Sequence, residues 1–125
     1  MKKETIERIR QFSADRDWGQ YHTPANLAKS IVIEAAELLE CFQWNESQVN
    51  RTHVEEELAD VLVYCQNLLD ELNLDVDEIV NRKMDQNERK YPVELARGSA
   101  AKYYELKQSA RSCRSGNNET GEKVW

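Results

Sequence analysis

Two pairs of acidic residues have the spacing that places two carboxylates on one face of a helix. The pairs are Glu34 with Glu37 and Glu57 with Asp60, and both lie in segments that otherwise have the pattern of an amphipathic helix. Residues three apart on a helix are neighbours, and an unpaired charge beside a packing surface is costly to bury. If the two helices face each other, the carboxylates converge, and a hard divalent cation is the natural counter-charge. Such a site suits chemistry on phosphates.

The positions of these acids around their helices favour a common site. At about 100° per residue, Glu34 falls inside the apolar stripe of its helix and Glu37 falls on the flank of that stripe. On the following helix, Glu57 and Asp60 share one flank with Tyr64, which lies one turn beyond them. The alternative is that both acidic flanks are only solvated or bind a partner protein, because polar residues normally cover the outer face of a helix.

The donor atoms favour Mg²⁺ or Mn²⁺ over other metals. A di-iron site in a helical bundle requires Glu-x-x-His motifs on two helices, and neither His22 nor His53 follows a glutamate by three residues. Carboxylate oxygens alone are typical ligands of Mg²⁺ and Mn²⁺.

A second group of residues could bind a small ligand. Lys83 and Asn87 share one face of a later helical segment, where a lysine can meet phosphate and an asparagine can hydrogen-bond a base or a sugar. Trp18, Trp44 and Tyr64 are large aromatic residues that could stack on a base. Each has a structural alternative, because Lys83 could extend to solvent, Asn87 could be a satisfied buried amide, and the rings could only pack.

The elements that must position these residues are predicted to be four helices, which favour an all-α four-helix bundle whose core a second subunit completes. Thr23 and Pro24 have the residue types of a helix N-cap and first position, and Pro92 must end the last helix. A capping-box spacing over residues 52–55 predicts the start of the third helix. The predicted helices are residues 3–15, 25–44, 52 to the break at 73–75, and 76–91, with connections at 16–22 and 45–50.

Length and composition predict one domain with a polar tail. The chain has 125 residues, of which only four are Gly and two are Pro, so there is little turn chemistry for a β-rich fold. We expect the domain to occupy residues 1–108. Residues 109–125 are rich in Ser, Arg, Gly, Asn, Glu and Lys, which is typical of a disordered segment.

Charge and cysteine content restrict the partners and the compartment. The formal net charge of −6 argues against a nucleic-acid polymer as partner, although it permits a free nucleotide. Cys41, Cys65 and Cys113 have no CxxC spacing, which predicts free thiols in a reducing cytoplasm. No signal peptide or apolar run of the ~18 residues that a membrane span needs is recognised, so no membrane association is expected.

Several separated motifs resemble one family of enzymes. The segment from Glu34 to Trp44, followed by Glu57-x-x-Asp60, resembles the MazG-like all-α nucleotide pyrophosphohydrolases. The resemblance covers residues 5–107. Further motifs resemble the dCTP pyrophosphatase branch of that family: Arg16-Asp17-Trp18 with Tyr21-His22, Lys83-Met84-Asp85 with Asn87, Tyr91-Pro92, Leu95-Ala96-Arg97-Gly98-Ser99, and Lys102-Tyr103 with Glu105-Leu106.

The resemblance implies Mg²⁺-dependent hydrolysis of a nucleoside triphosphate, dCTP or a related pyrimidine deoxynucleotide, to the monophosphate and pyrophosphate. It also implies a dimer or a tetramer built from dimers. The dCTP branch has a histidine near the base where this chain has Ile9, so the same reaction on dUTP or on a broad set of nucleotides is an alternative, and a non-catalytic helical module is another. The implied metal ligands are Glu34, Glu37, Glu57 and Asp60, with Glu37 as the general base, and the implied substrate-binding residues are Trp18, His22, Trp44, Tyr64, Lys83, Asn87, Arg97, Lys102 and Tyr103.

Overall fold

The computed structural model describes residues 1–98, and every regular element in that range is helical. This confirms the all-α fold class predicted from the sequence. None of the helices in the described range is long and apolar enough to cross a membrane. The elements are α1 (Lys3–Asp15), a 3-10 helix (Trp18–Tyr21), α2 (Pro24–Gln43), α3 (Arg51–Glu71), α4 (Val76–Lys90) and α5 (Val93–Ala96).

The start of α2 follows the predicted capping chemistry. Thr23 has extended backbone geometry, and its hydroxyl oxygen accepts a hydrogen bond from the backbone N–H of Asn26 at 3.2 Å. Pro24 occupies the first helical position, where the missing N–H would have no partner within the helix. These two residues fix where α2 begins, and therefore the faces on which its glutamates lie.

The predicted start of α3 was wrong by one residue, and the capping residue is Asn50. Its side-chain oxygen accepts hydrogen bonds from the backbone N–H groups of Thr52 at 3.1 Å and His53 at 3.4 Å. An asparagine at the N-cap satisfies amides that otherwise have no partner, so the helix begins at Arg51 and the capping box over 52–55 is not used.

Three further differences from the sequence expectations concern short elements. The segment 16–22, predicted as a loop, contains the 3-10 helix, and the helix predicted to end at residue 91 ends at Lys90. After Pro92 the chain forms one turn of helix, α5, which was not predicted because four residues carry no detectable period. The ends of the predicted domain and tail, residues 108 and 109–125, and Cys113 lie outside the described residues.

Residues Met1–Asp75 form one compact unit, in which α2 and α3 make the most extensive contact between helices. The two helices are antiparallel, because the end of α2 shares a cleft with the start of α3 and the start of α2 shares another with the middle of α3. Leu27 is the one fully buried hydrophobic side chain among residues 1–98, and Gln66 and Asn67 on α3 are also buried.

An ion pair joins α1 to α3 within this unit. Arg10 donates to both carboxylate oxygens of Asp70, from Nε at 2.9 Å and from Nη2 at 2.7 Å. Gln66 Nε2 also donates to Asp70 Oδ1 at 3.1 Å. The helices α4 and α5 belong to a second unit that begins at Val76.

Much of the apolar stripe predicted on α3 is only partly covered. Leu58 is 45% exposed and Leu62 is 47% exposed, although both continue the four-residue apolar spacing from Val54 that predicts a packing stripe. On α2, Val32 and Leu39 are exposed at 68% and 64% and lie seven residues apart, which places them on one face of the helix.

Candidate functional site

Three carboxylates meet at the seam between α2 and α3. One oxygen from each of Glu34, Glu37 and Glu57 lies within 4.8 Å of the other two. Glu34 and Glu57 are half-buried, whereas Glu37 is exposed. The three-residue spacing on α2 and the antiparallel contact with α3 together produce this cluster, as the sequence pattern predicted for these three residues.

Burial and neighbouring negative charges raise the pKa values of Glu34 and Glu57. Burial is the largest cause of the raised pKa of Glu34, followed by the negative charges of Glu37 and Asp60. The pKa of Glu57 is also raised, first by burial and then by hydrogen bonding with Glu37 and by its charge, while nearby His53 partly offsets the shift. The site therefore concentrates negative charge, which His53 offsets only in part at Glu57.

One oxygen of the cluster has no hydrogen-bond partner. Within the described chain, Glu57 Oε2 is buried without a donor. None of the ion pairs among residues 1–98 involves these glutamates or Asp60. An unpaired oxygen in an all-oxygen cluster fits a hard divalent cation.

Asp60 lies at the edge of this cluster. Its oxygens are outside the group that lies within 4.8 Å, and its side chain is exposed. Its charge nevertheless contributes to the raised pKa of Glu34 and of Glu57. The structure thus brings three of the four predicted ligands together and leaves the fourth close enough to act electrostatically.

An acidic cleft of about 710 Å³ opens on one side of the cluster, at the end of α2 and the start of α3. It contains Trp44, which is 87% exposed. Two of the clustered carboxylates form part of its wall. The lining residues are Glu37, Glu40, Cys41, Gln43, Trp44, His53 and Glu57.

An aromatic cleft of about 330 Å³ lies further along the same seam, at the start of α2. Three predicted substrate-binding residues, Trp18, His22 and Tyr64, line it together, whereas Trp44 lines the acidic cleft instead. Tyr64 follows Asp60 by one helical turn and Ser30 precedes Glu34 by one turn, so the carboxylate cluster lies between the two clefts. The remaining lining residues are Tyr21, Asn26 and Leu27.

The other five predicted substrate-binding residues come after Asp75 in the sequence. Lys83 and Asn87 are one turn apart on α4, where Lys83 is exposed and Asn87 is half-buried. Arg97 is exposed directly after α5. Lys102 and Tyr103 lie outside the described residues.

The clefts also contain polar residues that the sequence analysis missed. Gln43 and His53 line the acidic cleft, and Asn26 and Ser30 line the aromatic one. Helical spacing could have indicated two of these residues, because His53 precedes Glu57 by one turn and Ser30 precedes Glu34 by one turn. Asn26 also donates from Nδ2 to the backbone oxygen of Tyr21 at 3.1 Å, which ties the start of α2 to the 3-10 helix.

The antiparallel helices, with a carboxylate cluster between two clefts, define an all-α protein with a candidate small-molecule site at the contact between α2 and α3. Residues 29–106 match the sequence model of the MazG-like family. With this match over more than half of its length, the chain belongs to the MazG-like family, as the sequence resemblance predicted.

Curated relatives and a solved structure agree with that membership. The chain is 41% identical over 121 residues to dCTP pyrophosphatase 1 of Bos taurus, which covers 86% of this chain and 72% of the relative. It is 42% identical over 121 residues to dCTP pyrophosphatase 1 of Homo sapiens, covering 86% and 71%. The crystal structure of a pyrophosphatase from Archaeoglobus fulgidus superimposes with a TM-score of 0.67 at 46% identity, covering 72% of this chain and 91% of that one.

Proposed function

We propose that this protein hydrolyses a nucleoside triphosphate to the monophosphate and pyrophosphate, with dCTP or a related or modified pyrimidine deoxynucleotide as substrate. The reaction would remove such nucleotides from the cellular pool. The observation that carries the proposal is the cluster of Glu34, Glu37 and Glu57, whose members form no ion pair within residues 1–98. The names of the relatives support the same class of reaction.

The order of features along the helix seam supports a direction for the substrate. The aromatic cleft has rings that suit a base, and the carboxylates lie one turn away from Tyr64 and Ser30. We infer that the base occupies the aromatic cleft and that the phosphates extend over the carboxylates toward the acidic cleft. There Gln43, Trp44 and His53 offer hydrogen-bond donors to the sugar or the phosphates.

The residues suited to hold Mg²⁺, or Mn²⁺ in its place, are Glu34, Glu37, Glu57 and Asp60. Their oxygen donors and the unpaired Glu57 Oε2 fit such an ion. When bound, the ion supplies neutralisation of phosphate charge and a lowered pKa of a bound water.

The protein's own groups position the reactants and accept a proton. Glu37 is the proposed general base, since it is the exposed member of the cluster and can reach a water in the cleft. Attack of the water oxygen at the α-phosphorus breaks the bond to the bridging oxygen, and pyrophosphate leaves with that oxygen. Trp18, His22 and Tyr64 would orient the base. We assign phosphate and sugar contacts to Lys83, Asn87, Arg97, Lys102 and Tyr103 as predictions from the sequence.

We also propose that the protein works as a dimer or a tetramer. The exposed apolar side chains of Val32 and Leu39 on α2 and of Leu58 and Leu62 on α3 would be covered by a second copy. The free thiols of Cys41 and Cys65 fit a reducing compartment, and we propose the cytoplasm.

The test is a pyrophosphate-release assay with Mg²⁺ across the canonical and several modified nucleoside triphosphates. We expect pyrimidine deoxynucleotides to be the best substrates, with dCTP first. Leading activity on dUTP would favour the alternative base preference, and equal turnover of purine triphosphates would contradict the assignment of the aromatic cleft to a pyrimidine. No release from any triphosphate would favour a non-catalytic helical module.

A further inference from the structure

The ring of Phe12 near the end of α1 contacts two side chains at once. Its centroid lies 5.5 Å from that of Trp18, and the two ring planes make an angle of 77°. The guanidinium carbon of Arg16 lies 3.6 Å from the centroid of the Phe12 ring, over the ring face. We call these three residues the Phe12 cluster.

Hydrogen bonds fix the turn that brings Trp18 back to α1. Arg16 Nη1 donates to the backbone oxygen of Phe12 at 3.1 Å, which holds the guanidinium over the ring. Asp17 has a left-handed backbone, with φ of 52°, a conformation that few residues other than glycine adopt. Gln20 Nε2 donates to the backbone oxygen of Asp17 at 3.0 Å and to its Oδ2 at 3.2 Å. These bonds stabilise a turn that otherwise has a cost.

Simple burial does not account for this arrangement. Phe12 is 46% exposed and Trp18 is 41% exposed, so neither ring is a core residue. The contacts instead have the geometries that ring quadrupoles favour: an edge-to-face ring pair, and a cation over a ring face. Such contacts fix the orientation of the rings more than they bury apolar surface.

Trp18 is also part of the wall of the aromatic cleft, together with residues of α2 and α3. Phe12 and Arg16 do not line that cleft, so they can influence a ligand there only through Trp18. A stacking contact with a base depends on the angle and distance of the ring. The orientation of Trp18 is therefore a variable that the Phe12 cluster controls.

We propose that Phe12, supported by Arg16, is a positioning residue that sets the orientation of Trp18 and thereby the affinity for the pyrimidine base. The inference rests on the proposed function, because it takes the aromatic cleft as the base site. It adds a determinant of substrate affinity that touches neither the substrate nor the carboxylates.

The experiment compares KM and kcat for dCTP in Phe12→Leu, Phe12→Tyr and wild-type protein. Loss of one edge-to-face contact of roughly 0.5–1.5 kcal/mol corresponds to about a 2- to 10-fold rise in KM. We expect that rise in Phe12→Leu with kcat unchanged, because the carboxylates are untouched, and near-normal KM in Phe12→Tyr, which keeps the ring. Arg16→Met should raise KM in the same direction by a smaller factor while leaving the ring pair in place.

Phe42→Leu is the matched control, since Phe42 is a similarly exposed aromatic residue (38%) in the same unit and lines neither cleft. An unchanged KM in folded Phe12→Leu, or a fall in kcat alone, overturns the inference. If Phe12→Leu does not fold, an unchanged KM in Arg16→Met overturns it instead. An inactive wild-type protein refutes the proposed function. If the wild type is active and the substitutions leave KM unchanged, only the role of Phe12 is refuted.

Discussion

Glu37 on α2 and Glu57 on α3 come from different helices, yet they present carboxylate oxygens within 4.8 Å of each other. The charge of Glu37 and its hydrogen bonding contribute to the raised pKa of Glu57. Two like charges this close destabilise the folded protein at neutral pH unless a proton or a cation lies between them. The contact thus links stability, cation binding and pH at one site.

Glu57→Gln should abolish stabilisation by Mg²⁺ while leaving the metal-free protein at least as stable as wild type. The substitution removes a charge that is half-buried among other acids but keeps the side-chain shape. The measurement is thermal unfolding with and without Mg²⁺ plus a non-hydrolysable dCTP analogue, where ligand binding to the folded state raises Tm.

Glu40→Gln is the control for this substitution. Glu40 lines the acidic cleft but lies outside the carboxylate cluster, so it should retain the full Tm increase. An undiminished Mg²⁺ response in Glu57→Gln would contradict the assignment of Glu57 as a ligand.

Affinity for the divalent cation should fall as the pH is lowered, starting above the range of an ordinary glutamate. The pKa values of Glu34 and Glu57 are raised from the usual 4.5, and protons compete with the cation for the same oxygens. Because folding raises these pKa values, the metal-free protein gains stability on acidification through them and loses it as the pH rises. Titrations with Mn²⁺ between about pH 5 and pH 8, with Tm of the metal-free protein alongside, test both trends.

The stability of the metal-free protein and its affinity for the cation should change with pH in opposite directions. The Tm of the metal-free protein should decrease with rising pH over the interval in which cation affinity increases. A cation affinity that does not vary with pH would contradict binding of the cation to Glu34 and Glu57.

Asp60→Asn should lower turnover by roughly 10- to 100-fold, the usual range for a residue that supports a metal site. Asp60 lies outside the tight group of oxygens but acts on Glu34 and Glu57 through its charge. Steady-state pyrophosphate release measures the effect, and Asp75→Asn, at an acid beyond the end of α3, provides a comparison. Near-normal turnover in Asp60→Asn would remove Asp60 from the set of ligands.

The sequence predicted the elements that depend on long periodic patterns. The carboxylate cluster follows from acid pairs on α2 and α3, which are 20 and 21 residues long and therefore show a clear helical period. The start of α2 at Thr23 and Pro24 was also predicted, because a threonine followed by a proline is a common sequence at the start of a helix.

The features that the sequence did not predict depend on single side chains or on distant contacts. Asn50 precedes another plausible cap, and only the geometry shows that its oxygen reaches the first amides of α3. The pairing of Arg10 with Asp70 joins residues 60 positions apart, which no local pattern records. Trp18 and Trp44 line different clefts, at the start and at the end of α2, and the prediction that both bind the substrate did not distinguish these two places.

Arg10→Met should destabilise the protein at neutral pH, because Asp70 then loses its bidentate partner. The bidentate pair is partly exposed, which places it near the upper end for a surface ion pair. Arg10 lowers the pKa of Asp70 below the usual 3.8, so the stabilisation is present above that value and disappears as the pH falls through the lowered pKa. Urea unfolding at about pH 7 measures the stabilisation by the ion pair, and urea unfolding at about pH 3 measures its decrease on acidification.

The ion pair of Arg51 with Glu55 offers the control for this effect. It is a pair within one helix, and the Arg51 side chain is 91% exposed, so Arg51→Met should change the free energy of unfolding by only a few tenths of a kcal/mol. Equal effects of the two substitutions would contradict a special role for the contact between α1 and α3.

Val32→Glu should convert the protein from an oligomer to a monomer. Val32 and Leu39 form an exposed apolar face on α2, and a glutamate placed in the centre of an apolar interface has no partner for its charge. Light scattering after size-exclusion chromatography should give twice or four times the 14.6 kDa chain mass for wild type and the single-chain mass for the variant.

Val93→Glu is the matched control, because Val93 is equally exposed, at 67% against 68% for Val32, but lies on α5 in the other unit. A wild-type protein that elutes at the mass of one chain at micromolar concentration would contradict the proposed assembly and leave the apolar face of α2 as a surface of the monomer.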